Sequence, residues 1–168
     1  MGSIEGRVGG AFEGFDVYAT IEDEGTSIRG RIGGMWRGGD INLQLRNGEV
    51  TGRLGGSIHG QSLSGELRAD SFMGRIGGGV VGQDVGLWLN NNQIEGRVGG
   101  ETIGFSCALR YDATLGTLTG RLGGEVIGHT VSLTVSRASP LLAALLAALT
   151  YHYYEFSKRS NNAPPSNQ

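Results

Sequence analysis

The chain has 168 residues and a mass of 17.6 kDa, the size of a single domain. Glycine supplies 32 residues and proline only 3, beside 38% hydrophobic and 18% charged residues, which excludes collagen, a proline-rich linker and wholesale disorder. A net charge of −2 argues against nucleic acid as a partner, and the single cysteine, Cys107, can close no internal disulfide.

The first residues, MGSIEGRVGG, hold no basic stretch followed by an apolar run, so no secretory signal is expected there and a cytoplasmic location is the default. IEGR at 4–7 has the form of an engineered protease site, but it recurs at 94–97 and belongs to a repeat. That repeat reads IEGRVGG at 4, IRGRIGG at 28, VTGRLGG at 50, FMGRIGG at 72, IEGRVGG at 94 and LTGRLGG at 118. With the leading residue as position 0, glycine occupies positions 2, 5, 6 and 10 in all six copies, 24 of the 32 glycines. The richness in glycine is therefore patterned and not low complexity.

Each copy carries two alternating stretches. The second includes Val17-x-Ala19-x-Ile21, Ile41-x-Leu43-x-Leu45 and Val131-x-Leu133-x-Val135. A period of two means strands with one buried face. Taking positions 8 and 13 as inward leaves two-residue loops at Gly14-Phe15, Gly38-Gly39, Gly60-Gln61, Gly82-Gln83, Gly104-Phe105 and Gly128-His129. At the other ends, Asn47-Gly48, Ala69-Asp70 and Asn91-Asn92 are bracketed by strand residues, with longer loops at 23–26 and 113–116. The expected fold is all-β with one helix: a twelve-stranded antiparallel up-and-down meander. Hairpin turns at both strand ends argue against a parallel solenoid.

Composition changes at Ser139-Pro140, a cap and first-turn pair, and LLAALLAALTYHYYEF follows. Leucines form one face and alanines the other, so this helix needs burial on all sides. From Leu141 to Phe156 is 16 residues, or about 24 Å of helix, short of the ~30 Å hydrocarbon core. Twelve tilted strands close at a radius of about 12 Å, wide enough for a helix of about 5–6 Å radius and its packing. The expected organisation is a six-repeat barrel at 1–138, an apolar helix filling it at 139–159 and a disordered tail at 160–168. The inward glycines at positions 2 and 6 are expected to leave room beside leucines such as Leu43 and Leu87.

A closed twelve-stranded barrel threaded by a C-terminal apolar helix, here LLAALLAALTYHYYEF, resembles the Tubby-like superfamily, which includes LURP-one-related proteins and phospholipid scramblases. The resemblance spans roughly residues 4–156 and is architectural. It implies membrane-lipid association as a family property and assigns no binding residue here.

Six arginines at position 3, Arg7, Arg31, Arg53, Arg75, Arg97 and Arg121, point outward at one height. They form a candidate anion-contact belt. The structural alternative, guanidinium groups lying over bare glycine backbone, is favoured, with Glu22, Asp112, Arg46 and Arg68 as the expected neighbours across each hairpin. Trp88 is outward and a candidate surface contact, Trp36 and Cys107 are expected in the core, and His59, with Ser57 near it, and His129 at turns. No cofactor, metal site, phosphate loop or acid–base constellation is expected. The leading function is a non-enzymatic structural or interaction protein, monomeric once the barrel closes, with weak anion binding. The alternative is a membrane- or lipid-associated protein using the C-terminal apolar segment.

Overall fold

The structure, a computed structural model, describes residues 1–33, 37–55, 60–77, 82–100, 103–124 and 128–161. Its strands are β1 Gly2–Gly9, β2 Gly14–Glu22, β3 Ser27–Gly33, β4 Gly38–Arg46, β5 Glu49–Leu54 and β6 Gln61–Leu67. The second half comprises β7 Ser71–Gly77, β8 Gly82–Asn90, β9 Gln93–Gly99, β10 Gly104–Asp112, β11 Thr117–Gly123 and β12 Gly128–Ser136, then the helix α1 Pro140–Asn161. Every strand pairs antiparallel with its chain neighbours, and β1 pairs with β12 to close the barrel. The alternation sets the two faces: in β12, Val131, Leu133 and Val135 are buried and Ser132 and Thr134 exposed. The outer wall is polar, as Glu5, Arg7, Asp16 and Thr119 illustrate, the inverse of a membrane-spanning barrel.

At the lower end, the Asn-containing turns are as the sequence predicts. Asn47 and Gly48, at φ 52° and 83°, sit between the paired Arg46 and Glu49, and Asn91 and Asn92, at 49° and 67°, sit between Asn90 and Gln93. Positive φ at both central residues is the type I′ geometry whose twist matches the strands. The longer connections use a short 3₁₀ turn at Asp23–Gly25 and an Asp112 side chain that accepts from the Thr114 and Leu115 amides at 2.9 and 3.0 Å.

The upper end differs from the expected two-residue loops. In five of the six copies position 5 is the last strand residue opposite position 10, as in Gly9↔Gly14 and Gly99↔Gly104, so the loop spans positions 6–9; in the third, pairing ends at Leu54↔Gln61. The cause is local: all six position-5 glycines have positive φ, for instance 116° at Gly9 and 80° at Gly33, and turn the chain out of the sheet early. Position 8, expected inward, is therefore a loop tip where described, and Phe12 there is 100% exposed. Position 11 instead points into the barrel. Trp36, Ser57 and His59 lie outside the described residues.

Beyond β12, Arg137 at φ 51° and the Ser139 cap, whose Oγ accepts from the Leu142 amide at 3.4 Å, turn the chain into the lumen. Leucine and alanine faces of α1 are both sealed: Leu141 to Leu149 are at most 3% exposed. This is the burial that an all-round apolar helix requires. Burying its five leucines contributes on the order of 10 kcal/mol. The helix runs two residues past the expected end at 159; of the expected disordered tail, residues 162–168 lie outside the described residues.

The position-2 glycines face inward, and what they make room for is chiefly the neighbouring strand. A Cβ on Gly74 would meet the Ser64 carbonyl oxygen, and would stand 2.8 Å from Phe72 Cζ and 2.9 Å from Gly65 Cα. Leu43 behaves as expected, its Cδ2 lying 2.9 Å from the place of a Gly52 Cβ.

Candidate functional site

The arginine belt exists as a geometric feature, and its partners are built into the repeat. Each position-3 arginine stands opposite position 12 across the hairpin: Asp16, Asp40, Ser62, Asp84, Ser106 and Thr130. Arg7, Arg31 and Arg75 pair with aspartates at 2.9, 2.8 and 2.8 Å. Arg53 donates to Ser62 Oγ at 3.4 Å and Arg97 to Ser106 Oγ at 3.0 Å, while Arg121 stands opposite Thr130. Arg7 and Arg97 also donate from Nε to the Gly10 and Gly100 carbonyls at 2.8 and 2.9 Å, tying down the first residue of the loop. The expected neighbours Glu22, Asp112, Arg46 and Arg68 are not at the belt: the early turn at position 5 moves the partner of each arginine from position 18 to position 12, leaving Glu22 opposite Ser27, Asp112 opposite Thr117 and Arg46 opposite Glu49, with Arg68 paired to Glu66 at 3.0 Å. Solvated pairs of this kind contribute about 0–1 kcal/mol each.

Trp88 is on the outer wall, half exposed, with its ring over Gly86 and beside Met73: a Cβ on Gly86 would meet Trp88 Cη2 at 2.7 Å and Met73 Sδ at 3.3 Å. Cys107 is buried in the wall, as expected, and burial pushes its thiol up to about 12 against a small opposing effect of the Arg97 charge.

Most of the unexpected chemistry is at the mouth. The position-11 residues, Phe15, Gly39, Gln61, Gln83, Phe105 and His129, form an inward collar around one helical turn of α1, Tyr151–Tyr154. Successive helix residues are 100° apart, so these four side chains fan out to different sectors of the barrel. Tyr151 meets Phe105 and His129 at ring centroid distances of 4.4 and 5.1 Å, and Tyr154 meets Phe15 and His129 at 5.1 Å each. Tyr153 donates its hydroxyl to the Gly38 carbonyl at 2.9 Å, in space that only glycine at 39 leaves free, since a Cβ there would stand 2.6 Å from Tyr153 Oη. His152 Nε2 lies 2.8 Å from Gln61 Oε1.

His129 is thus a collar residue and not a surface turn. Its pKa is lowered, first by burial, with Glu155 and Glu13 opposing. Tyr151 is raised, first by burial and then by the Glu155 charge.

In the Gln61–Gln83 sector the collar is not packed shut. A cleft of about 340 Å³ opens there, walled by Ile76, Phe105, Tyr151 and Phe156 and edged by Gln61, Gln83, His152 and Glu155. The sequence predicts an apolar helix filling the barrel. The lumen is filled at the level of the leucines, and the cleft lies above it. Strict alternation carried back from position 13 would have placed position 11 inward and revealed the collar. The mixed residue types at that inward position signal contact with a non-repeating partner. Among the described residues no group of three histidine, cysteine or acidic side chains stands close enough to hold a metal, and no helix is long and apolar enough to cross a membrane. No protein-family model, curated protein or solved structure matches this chain.

Proposed function

We propose that this protein is a non-enzymatic interaction protein, a rigid plugged barrel that meets its partners at the mouth. The observation that carries the reading is the contrast between surfaces. Five of the six belt arginines, Arg7, Arg31, Arg53, Arg75 and Arg97, are engaged within their own repeats, whereas the mouth offers the cleft and the exposed apolar side chains Phe12, Ile103 and Phe156. Closure leaves no strand edge, which supports a monomer. Kinship with the Tubby-like barrels is a further proposal, resting on twelve strands and an internal helix. Lipid association, in that case, would use the mouth, because the apolar segment is inside the barrel.

Two measurements on the full chain test this. A fragment screen read by amide chemical shifts should give perturbations that cluster at the mouth. Sedimentation with acidic liposomes should stay at background for both the native chain and a variant with Arg53→Gln and Arg75→Gln. Salt-sensitive liposome binding that the double change abolishes would make the belt the functional surface and overturn the reading.

A further inference from the structure

We infer that the mouth cleft binds a small organic cation, an amine carried on an aromatic or other flat apolar body. This rests on the reading of the mouth as the contact face and adds the chemistry of what it holds.

The collar explains why the cleft is there. Position 11 accepts phenylalanine twice, and in both places the ring packs on a helix tyrosine: Phe15 on Tyr154 and Phe105 on Tyr151. The same position in two adjacent repeats is glutamine. Gln61 is held toward His152, and Gln83 edges open space. The repeat template thus supplies a residue that would close the sector, and this sequence uses a shorter polar one there instead.

The lining then selects the ligand. Phe105, Tyr151 and Phe156 line the cleft, and of the three Phe156 is the exposed ring that a flat apolar body can cover. Among the described residues forming the cleft, Glu155 is the one acidic side chain, and neither lysine nor arginine is among them. A carboxylate beside aromatic rings attracts a cation both by charge and through the ring quadrupoles. The same lining repels an anion of equal shape. The volume, about 340 Å³, is within the range of small-molecule sites.

Three probes sharing one indole body test this by titration of the isotope-labelled full chain: tryptamine, indole-3-ethanol and indole-3-acetate. Tryptamine should shift the amides of Gln83, Gly104 and Glu155 and bind about fivefold more tightly than the alcohol, with the acetate weakest. Glu155→Gln should bring the amine down to the level of the alcohol. Gln83→Phe, native-like for this position, should abolish binding of all three while raising the melting temperature. Equal binding of the three probes at the mouth would overturn the cation inference and leave the mouth reading standing. Absence of binding by any probe to the native chain, or tryptamine binding that survives Gln83→Phe, would overturn the site itself.

Discussion

Where α1 enters the barrel, leucines and alanines fill the lumen against an equally apolar wall. Where α1 leaves, four consecutive polar-aromatic residues meet a collar of phenylalanine, glycine, glutamine and histidine, and one sector stays open. The lower region is closed; the upper one varies from copy to copy at the inward position 11 and keeps a cleft. Sixfold repetition suits a task that is the same all the way round, which is sealing the wall to the helix. Recognition needs one sector to differ from the others, and among the inward positions at the mouth position 11 supplies that difference.

The largest effect follows from removing the lower contact altogether. A chain ending at residue 138 should lose its cooperative unfolding transition and aggregate, since the wall would enclose an apolar void. Circular dichroism and sedimentation velocity read this, and a monomeric, cooperatively folded fragment would show that the wall stands alone. Next, the two halves of the helix should respond unequally. Leu145→Ala should cost about 2–5 kcal/mol in denaturant unfolding and Tyr154→Ala distinctly less, because Leu145 is fully enclosed whereas Tyr154 is only partly buried. Equal losses would erase the distinction between the regions. Gly74→Val tests the wall alone and should cost about 1–3 kcal/mol, as the new side chain meets the backbone of the paired strand. An unchanged melting temperature would mean the strands can shift at that position.

The smallest effect is a pH dependence confined to the mouth. His129 faces Tyr151 and Tyr154, with Glu155, Glu13, Lys158 and Arg121 as the charges around it, and its folded-state pKa is depressed. The unfolded chain therefore binds the proton more readily, so stability should fall as pH drops through about 6.5 and level off below the folded-state value. His129→Phe should remove that slope. The ring is partly solvated, so the slope is shallow; a slope unaltered in the variant would place the titration elsewhere.

Much of this was legible in the sequence because the repeat states it many times. Twelve strands follow from the alternation in each copy, the lower turns from Asn47-Gly48 and Asn91-Asn92, and the plug from a helix with no polar face. The mouth was harder to read. Assigning position 8 inward put Phe12 in the wall, where the positive φ of Gly9 had already turned the chain outward. With position 8 inward, His129, Gln61 and Gln83 fall in loops and no collar is visible. The pairing of Arg7 with Asp16 was lost in the same way, although an arginine at position 3 and an acid or hydroxyl at position 12 recur in every copy. The cleft was not legible, because it is a property of how far a helix of one sequence leaves a ring of another unfilled.

Residue-resolved native-state hydrogen exchange tests most directly whether the helix is the core of the barrel below and a looser partner above. Amides of Ala143 to Leu149 should exchange only through global unfolding, with the same free energy as those of β1 and β12, and protection should fall away from Tyr153 onward. Helix amides that exchange quickly along the whole of α1 while the strands remain protected would contradict it.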